Sequence, residues 1–442
     1  MSELASDVVN RATADRVAYS GGRVALALLT LVGTINFMDR QLLSVLVEPI
    51  RAELHLSDTQ FGLLTGLCFA LFYATLGVPA AMLADRGNRV RLVAGACFVW
   101  SLFSAACGLA GNFWQLALAR FGVGVGEAGG TAPSLSVLSD YYPPERRAAV
   151  IGLFTVNGPL GMFLGISVGG WAAQQFGWRG AFFFIGLVGV VVAPLLLMLV
   201  REPVRGATES CRASAQPAPS LGATVRLLWR QPTLRMLFVA SGIAAFVSYG
   251  LLNWLPAFLM RERAMPLPEL AKWFGPAAGL CMGLGIWGGG ALVNAAARKN
   301  VAAYGWMPAA SMALTAPLLA IALSAPGWQL SLLLLLAPMI CCIFYVAPAL
   351  ALSQNLAPLN VRATATALLL LAFNIVGLGL GPLAVGMLSD ALTGAGVSHA
   401  LRWAMLCLAP VALVSALAYL AMSRTVAADS ATTSLAAEEL PA

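Results

Sequence analysis

The chain has 442 residues, of which 60% are hydrophobic and only 10% are charged, and its mean hydropathy is +0.83. Soluble domains carry roughly 25% charged residues, so this composition excludes an ordinary soluble protein and predicts one embedded in lipid. The net charge of +7 does not indicate nucleic-acid binding, because the basic residues follow the membrane topology described below.

Apolar runs long enough to cross a ~30 Å hydrocarbon layer recur along nearly the whole chain. Twelve spans are predicted, at about 23–47, 58–82, 90–109, 113–138, 148–171, 178–200, 233–259, 270–297, 302–323, 328–353, 361–388 and 401–423. We expect an all-α membrane protein of two pseudo-symmetric six-helix bundles. The predicted divisions are a cytoplasmic tail (1–22), a first bundle (23–200), a flexible cytoplasmic linker with an interfacial helix (201–232), a second bundle (233–423) and a cytoplasmic tail (424–442).

The basic residues predict the orientation. With the N-terminus in the cytoplasm, 18 of the 26 Lys and Arg residues fall on the cytoplasmic side, 6 on the opposite side and 2 inside spans. Cytoplasmic connections of membrane proteins carry such an excess. The pattern predicts an integral protein of the inner membrane with both termini in the cytoplasm.

The first span contains two adjacent charged residues, Asp39 and Arg40, deep in an apolar run. A charge at bilayer depth costs several kcal/mol and is retained mainly where it has a partner and faces a polar cavity. Asp39 lies about 24 Å from the cytoplasmic end of its span, at 1.5 Å per residue. Farther along, Phe69 and Tyr73 of the second span are predicted to line an apolar wall of the same cavity, with core packing as the alternative.

The connection after the second span runs from Gly77 to Arg91 and includes Asp85-Arg86-Gly-Asn88-Arg89. It resembles the cytoplasmic signature of the major facilitator superfamily, Gly-x-x-x-Asp-Arg-x-Gly-Arg-x-Arg, with Ala81 and Asn88 in place of two glycines. Because Asn tolerates a left-handed turn, we expect the tight turn to survive. Asp85, Arg86 and Arg89 are predicted to latch the cytoplasmic side; topological anchoring alone is the alternative for Arg89.

The fourth span carries Arg120 and Glu127, which are seven residues apart and therefore lie on one face of a helix. Arg120 is predicted at the depth of Asp39, and Glu127 near the middle of the bilayer, where no partner is evident. We expect Glu127 and its ionisable companions to face water. Asp39 and Glu127 are the predicted proton carriers, with Arg120 as switchable partner and anion anchor. Arg40 is predicted to support Asp39 or to face the outer vestibule; a static ion pair is the alternative for Asp39 and Arg120.

The fifth span is rich in small residues, with Gly158-Pro159 followed by Gly161, Gly165 and Gly169. Small residues at this spacing allow helices to approach closely, and a proline frees a carbonyl and bends the helix. This segment is predicted to be a packing surface and a hinge for gating. Arg147, just before it, is included in the predicted gate. The sequence Arg147-Ala148-Ala149 resembles Arg362-Ala363-Thr364, about 215 residues later, as expected for repeated halves.

The Phe37-Met38-Asp39-Arg40 segment, together with Arg120 to Ala128, is similar to the Spinster branch of the superfamily. The resemblance covers residues 30–200 well and the second half weakly. It implies a proton-linked carrier of amphipathic lipids such as lysophospholipids or sphingoid phosphates. The second half offers Tyr249, Asn253 and Asn374 as polar substrate contacts, with helix–helix hydrogen bonding as the alternative.

The sequence therefore predicts a monomeric, proton-coupled secondary carrier that works by alternating access. Its predicted partners are protons, membrane lipids and a lipid-like or small organic-anion substrate; no nucleic acid is expected. An uptake symporter for small carboxylates is the closest alternative, and a channel or a membrane enzyme is more remote. The eight cysteines show no CxxC spacing, so neither a metal site nor a cofactor is expected.

Overall fold

A computed structural model describes residues 2–205, 221–358 and 361–438. The side chains of 2–20, 74, 78, 81, 85, 148, 221, 363, 428 and 430–438 are outside the description. Every element of regular secondary structure in the described residues is helical, as predicted. Residues 206–220 of the flexible linker predicted at 201–232 lie outside the described residues.

The described residues up to 205 contain nine helices. In order they are α1 (Ser2–Val45), α2 (Val47–Leu54), α3 (Asp58–Thr65), α4 (Leu67–Arg86), α5 (Arg89–Cys107), α6 (Phe113–Glu127), α7 (Thr131–Tyr141), α8 (Pro144–Phe154) and α9 (Asn157–Leu199).

The second half follows after the short helix α10 (Leu221–Arg230). Its helices are α11 (Pro232–Arg261), α12 (Leu267–Glu269), α13 (Gly275–Ala297), α14 (Ala303–Ser324), α15 (Trp328–Ile343), α16 (Val346–Leu356), α17 (Arg362–Ala372), α18 (Gly381–Gly394), α19 (Ala400–Leu406) and α20 (Leu408–Glu438). Wider π-helical turns at Leu270–Phe274 and Phe373–Leu380 connect α12 to α13 and α17 to α18.

Ten helical stretches of the described residues, rather than twelve, are long and apolar enough to span a membrane. Nine correspond to one predicted span each, and the tenth, Pro144–Leu199, covers the fifth and sixth. The backbone leaves the helical conformation at Gly177, which takes φ +71°, so the fifth and sixth spans remain two helical segments separated by a kink. The fourth span is missing from the ten because it is broken at residues 128–130 into pieces of 15 and 11 residues.

The described residues form two compact units. One comprises residues 1–42 and 72–213, and the other comprises 43–71 and 214–442. The end of the first span and the start of the second thus pack with the second half of the chain. The domain boundaries that the sequence analysis placed at the linker stay a prediction.

Glycines allow close approach of the backbones within the first unit, as their spacing predicted. A Cβ atom on Gly165 of α9 would lie 2.9 Å from the Cα of Met38 in α1. On Gly126 of α6 it would lie 2.6 Å from the backbone nitrogen of Trp100 in α5. The segment of α1 that carries Asp39 and Arg40 is therefore packed directly against α9.

Substituting Gly126 with Ala is expected to destabilise the protein by about 1–3 kcal/mol, because the added methyl group meets backbone rather than a movable side chain. The measurement is the thermal unfolding midpoint in detergent. The matched control is Gly95→Ala in α5, where a Cβ atom would meet nothing within 4 Å. Equal midpoints for the two variants would contradict close packing of α5 against α6.

Candidate functional site

The first buried ion pair joins α1 to α6. Arg120 donates from Nη1 to Oδ2 of Asp39 at 2.7 Å, and the side chains are only 2% and 1% exposed. The hydroxyl of Ser104 in α5 donates to the other oxygen, Oδ1. The two residues meet at one depth, as the residue counts along the spans predicted. Ser104 was not singled out from the sequence, since a serine in an apolar helix usually bonds to its own backbone.

The second buried ion pair lies beside the first. Arg40 donates from Nε to Oε2 of Glu127 at 2.7 Å. The guanidinium carbon lies 4.6 Å from the ring centre of Tyr73 in α4 and 5.3 Å from that of Phe37. Such cation–π contacts hold an arginine side chain in place while leaving its donors available. Neighbouring residues of α1 thus bind residues that are two turns apart on α6.

Two expectations about Glu127 require correction. First, Glu127 does have a partner at its own depth, which is Arg40. Arg40 therefore pairs with Glu127, and neither supports Asp39 nor faces an outer vestibule. Its side chain also has no exposed surface, so in this conformation the carboxyl group does not face water. The Arg40 side chain, which is 12% exposed, is the most accessible of the four. Solvent therefore reaches Glu127 only when Arg40 or its surroundings move.

The break in the fourth span explains how Glu127 is placed. Glu127 is the last residue of α6, and Gly129 and Gly130 follow in the turn before α7. A Cβ atom on Gly129 would lie 2.9 Å from that of Ala96 in α5, so a larger residue would not fit against this helix. The Glu127 Oε1 atom has no hydrogen-bond partner among the described residues. The carboxylate thus has a single direct cation and a second oxygen without one.

The predicted substrate contacts occupy different environments. Tyr73 is partly exposed and contacts Arg40, whereas Phe69 is buried. Asn253 accepts a hydrogen bond from Ser44 at 2.8 Å and donates to the backbone of Tyr249 at 3.0 Å, so its amide joins helices. Asn374 is partly exposed and donates to the carbonyl of Leu370 at 2.8 Å. Substrate contact by Phe69, Tyr73, Tyr249, Asn253 and Asn374 stays a prediction.

The residues of the predicted cytoplasmic gate make contacts inside the first unit. Arg89 is buried and binds Asp140 at 2.5 Å and Glu202 at 2.7 Å. Arg147 donates to the carbonyls of Ser139 and Tyr142, at 2.9 and 3.2 Å, and so satisfies the end of α7. Arg86 is exposed, and the Asp85 side chain lies outside the described residues. A gating role for these four residues stays a prediction.

The turn between α4 and α5 differs from the expectation. Asn88 has φ −78° and ψ 113°, which is extended rather than left-handed backbone. Its side chain accepts a hydrogen bond from the Arg91 backbone at 2.7 Å and caps α5. The Asn is therefore suited to this position as an N-cap.

The Gly158-Pro159 hinge lies at a visible break in the fifth span. Helix α8 ends at Phe154 and α9 begins at Asn157, two residues before the proline. A proline cannot donate to the carbonyl four residues earlier, here that of Thr155, and the helix is interrupted at this residue. The interruption of the helix is present; its use as a gating hinge stays a prediction.

A second charged cluster, which the sequence analysis missed, lies at the predicted outer ends of the spans. Arg261, the last residue of α11, donates to Glu48 at 2.8 Å and to both oxygens of Asp58 at 2.8 and 3.0 Å. The Asp58 side chain is 2% exposed and also accepts from Ser389 of α18 at 2.6 Å. Asp390 accepts from the first backbone N–H groups of α3, at 3.0 and 2.7 Å. We call this set the outer cluster.

Arg261→Met is expected to lower the unfolding free energy by about 1.5–3 kcal/mol, because hydrogen bonds to charged groups are lost and buried Asp58 loses its best-oriented cation. The measurement is the thermal unfolding midpoint in detergent. The matched control is Arg51→Met, since Arg51 approaches the same carboxylate at 3.3 Å but is 35% exposed, and its loss is expected to cost less than about 1 kcal/mol. An equal effect of both substitutions would contradict a special role for Arg261.

Comparison with known proteins identifies the family to which this chain belongs. The model of the Major Facilitator Superfamily matches residues 29–378. A bacterial homologue of the human lysosomal transporter Spinster has a solved structure that superposes with a TM-score of 0.85, at 30% identity over 92% of this chain and 98% of that one. The chain belongs to the Spinster-like branch of the major facilitator superfamily. The protein is thus a membrane transporter and not an enzyme, as the sequence predicted.

Two curated relatives illustrate the range of this transporter's family. The chain is 36% identical to an MFS-type efflux pump of Mycolicibacterium smegmatis over 92% of its length and 94% of the pump. It is 31% identical to the hexuronate transporter of Bacillus subtilis over 55% of its length and 58% of that protein. Both relatives are transporters, and only the name of the second states a substrate.

Proposed function

We propose that this transporter is a proton-coupled secondary carrier in which Asp39–Arg120 and Arg40–Glu127 form the coupling element. The observation that carries the proposal is that two neighbouring residues of α1, Asp39 and Arg40, pair with Arg120 and Glu127 of α6. Two acids and two arginines, all inside predicted spans, form ion pairs with each other between α1 and α6. Ionisable residues inside spans mark proton or substrate pathways by default.

The pairing supplies two protonation states with different structures. When Glu127 is ionised, Arg40 is held against it; when it is protonated, the attraction falls and Arg40 is released. Burial disfavours an ionised carboxyl group and a nearby cation favours it, so movement of Arg40 changes the proton affinity. Because Arg40 is also the most exposed of the four, its displacement both admits water and frees a cation. Proton binding and opening are thereby linked.

The freed arginines favour an anionic substrate. Arg120 or Arg40, released by protonation of its acid, offers a planar set of donors suited to a phosphate or carboxylate. Tyr73 and Phe37 next to Arg40 add apolar surface, which suits an amphipathic molecule. The resemblance of the first and fourth spans to the Spinster branch implies a lysophospholipid-like anion, and similarity to an efflux pump favours export.

A proton symporter for small carboxylates is the second candidate. It is favoured by the similarity to a hexuronate transporter, and an arginine anchor serves a sugar acid equally well. Competition distinguishes the two. Excess glucuronate blocks transport by a carboxylate symporter, and excess lysophospholipid blocks transport by a lipid carrier.

The test is transport by the purified protein in liposomes under an imposed pH gradient. Labelled lysophosphatidylglycerol and labelled glucuronate are supplied separately, with protein-free liposomes as the control for leakage. We expect saturable, gradient-dependent transport of the lysolipid and little of glucuronate. Gradient-dependent transport of glucuronate alone would favour the second candidate, and transport insensitive to the gradient would contradict proton coupling.

A further inference from the structure

We propose that an anionic phospholipid of the surrounding membrane binds where α10 meets α11, α17 and the π-helical turn that follows α17. Its phosphate would lie on three arginines and one acyl chain in an apolar groove. The inference goes beyond the proposed function, because it assigns a second ligand site that is separate from the buried ion pairs.

The polar end of this lipid site is a cluster of cations. Arg226, Arg230 and Arg235 line a shallow hollow together with Trp229. None of the three makes an ion pair with a carboxylate of the described residues. The sequence from 221 to 243 contains no Asp or Glu, and the nearby Asp429 carboxylate accepts a hydrogen bond from the Thr233 backbone at 3.0 Å. Basic pockets at the cytoplasmic ends of spanning helices are suited to anionic lipid headgroups.

The apolar end is a groove of about 490 Å³ that begins where the hollow ends. Val225 and Trp229 line both, so the cation cluster and the groove are continuous. The rest of the groove is formed by apolar residues of α10, α11, α17 and the π-helical turn that follows α17, including Val239, Gly242 and Leu371. Its volume lies within the roughly 300–1,000 Å³ of ligand sites. Among the described residues, the Trp229 indole is the only polar side chain that lines it.

The shape and the charge together favour a lipid over a soluble anion. A free phosphate would be satisfied by the arginines and would leave the groove empty. A neutral lipid would fill the groove and leave the arginines unpaired. An anionic phospholipid satisfies both ends, and Trp229, which is 51% exposed, lies at the boundary, as tryptophan does at membrane interfaces.

The test is native mass spectrometry of the purified full-length protein, titrated with phosphatidylglycerol or with phosphatidylcholine. We expect phosphatidylglycerol to bind about tenfold or more tightly than phosphatidylcholine. The variant Arg226→Gln/Arg230→Gln/Arg235→Gln should remove this preference. The control Arg298→Gln/Lys299→Gln/Arg424→Gln removes the same charge from exposed positions outside the lipid site and should keep it within about twofold. Equal loss in both variants would overturn the proposal in favour of general charge attraction.

The groove is tested separately. Gly242→Phe fills it, since a Cβ atom there would be no closer than 3.9 Å to Val376. Val239→Gln, at a lining position that is 43% exposed, makes it polar without changing the buried core. Either should weaken phosphatidylglycerol binding about tenfold while the arginines remain. Unchanged binding in the folded variants, or equally effective competition by soluble glycerol phosphate, would overturn the assignment of an acyl chain to the groove.

Discussion

Replacing Glu127 with Gln is expected to abolish transport driven by a proton gradient, with a fall in rate of about tenfold or more, in the range of typical coupling free energies. Gln keeps the shape of the side chain and its acceptor for Arg40 but cannot exchange a proton. Substrate exchange between two equilibrated compartments needs no net proton movement, so it is expected to persist in this variant.

The measurement compares gradient-driven accumulation with equilibrium exchange in the same liposomes. The matched control is Glu145→Gln, which neutralises an exposed acid in the first turn of α8, and it should behave as wild type. Loss of both accumulation and exchange would indicate that Glu127 binds substrate or maintains the fold. Wild-type accumulation would remove Glu127 from the coupling element.

Breaking the Asp39–Arg120 pair is expected to have the largest effect on stability. Asp39→Asn leaves the Arg120 side chain, which is only 2% exposed, without its countercharge. Arg120→Gln likewise leaves the buried Asp39 carboxylate without its countercharge. Removing one partner of a buried pair costs about 3–5 kcal/mol, whereas replacing both with neutral residues is often close to neutral.

The double variant Asp39→Asn/Arg120→Gln should therefore be more stable than either single variant, as thermal unfolding in detergent would reveal. The difference between the double variant and the sum of the single ones measures the pair energy. Ser104→Ala provides a graded control, because it removes one hydrogen bond from Asp39 and should cost about 1 kcal/mol. Strictly additive single effects would show that the two residues do not act as a pair.

Much of the first unit follows from the sequence. Charged residues in the first and fourth spans identify the candidate site, because a charge inside an apolar span is costly and is retained mainly where it has a partner or a function. They are Asp39, Arg40, Arg120 and Glu127. Counting residues along the spans predicts that Asp39 and Arg120 meet. The same counting fails for Arg40 and Glu127, because it gives the depth of Cα atoms, whereas the long Arg40 side chain extends from α1 to the carboxylate at the end of α6.

The outer cluster escapes sequence analysis for a different reason. Glu48, Asp58 and Arg261 each lie at the end of a helix, where charged residues are ordinary. Only the packing of residues 43–71 with the second half brings them together. A contact between residues more than 200 positions apart leaves no local periodicity. The cluster is therefore visible only in three dimensions.

The central claim is that protons and substrate move together through the element formed by Asp39, Arg40, Arg120 and Glu127. The most direct measurement is the proton flux that substrate addition induces in liposomes containing a pH-sensitive dye, with no gradient imposed. The account predicts a substrate-dependent pH change with wild-type protein and none with Glu127→Gln. An identical pH change in both would contradict it.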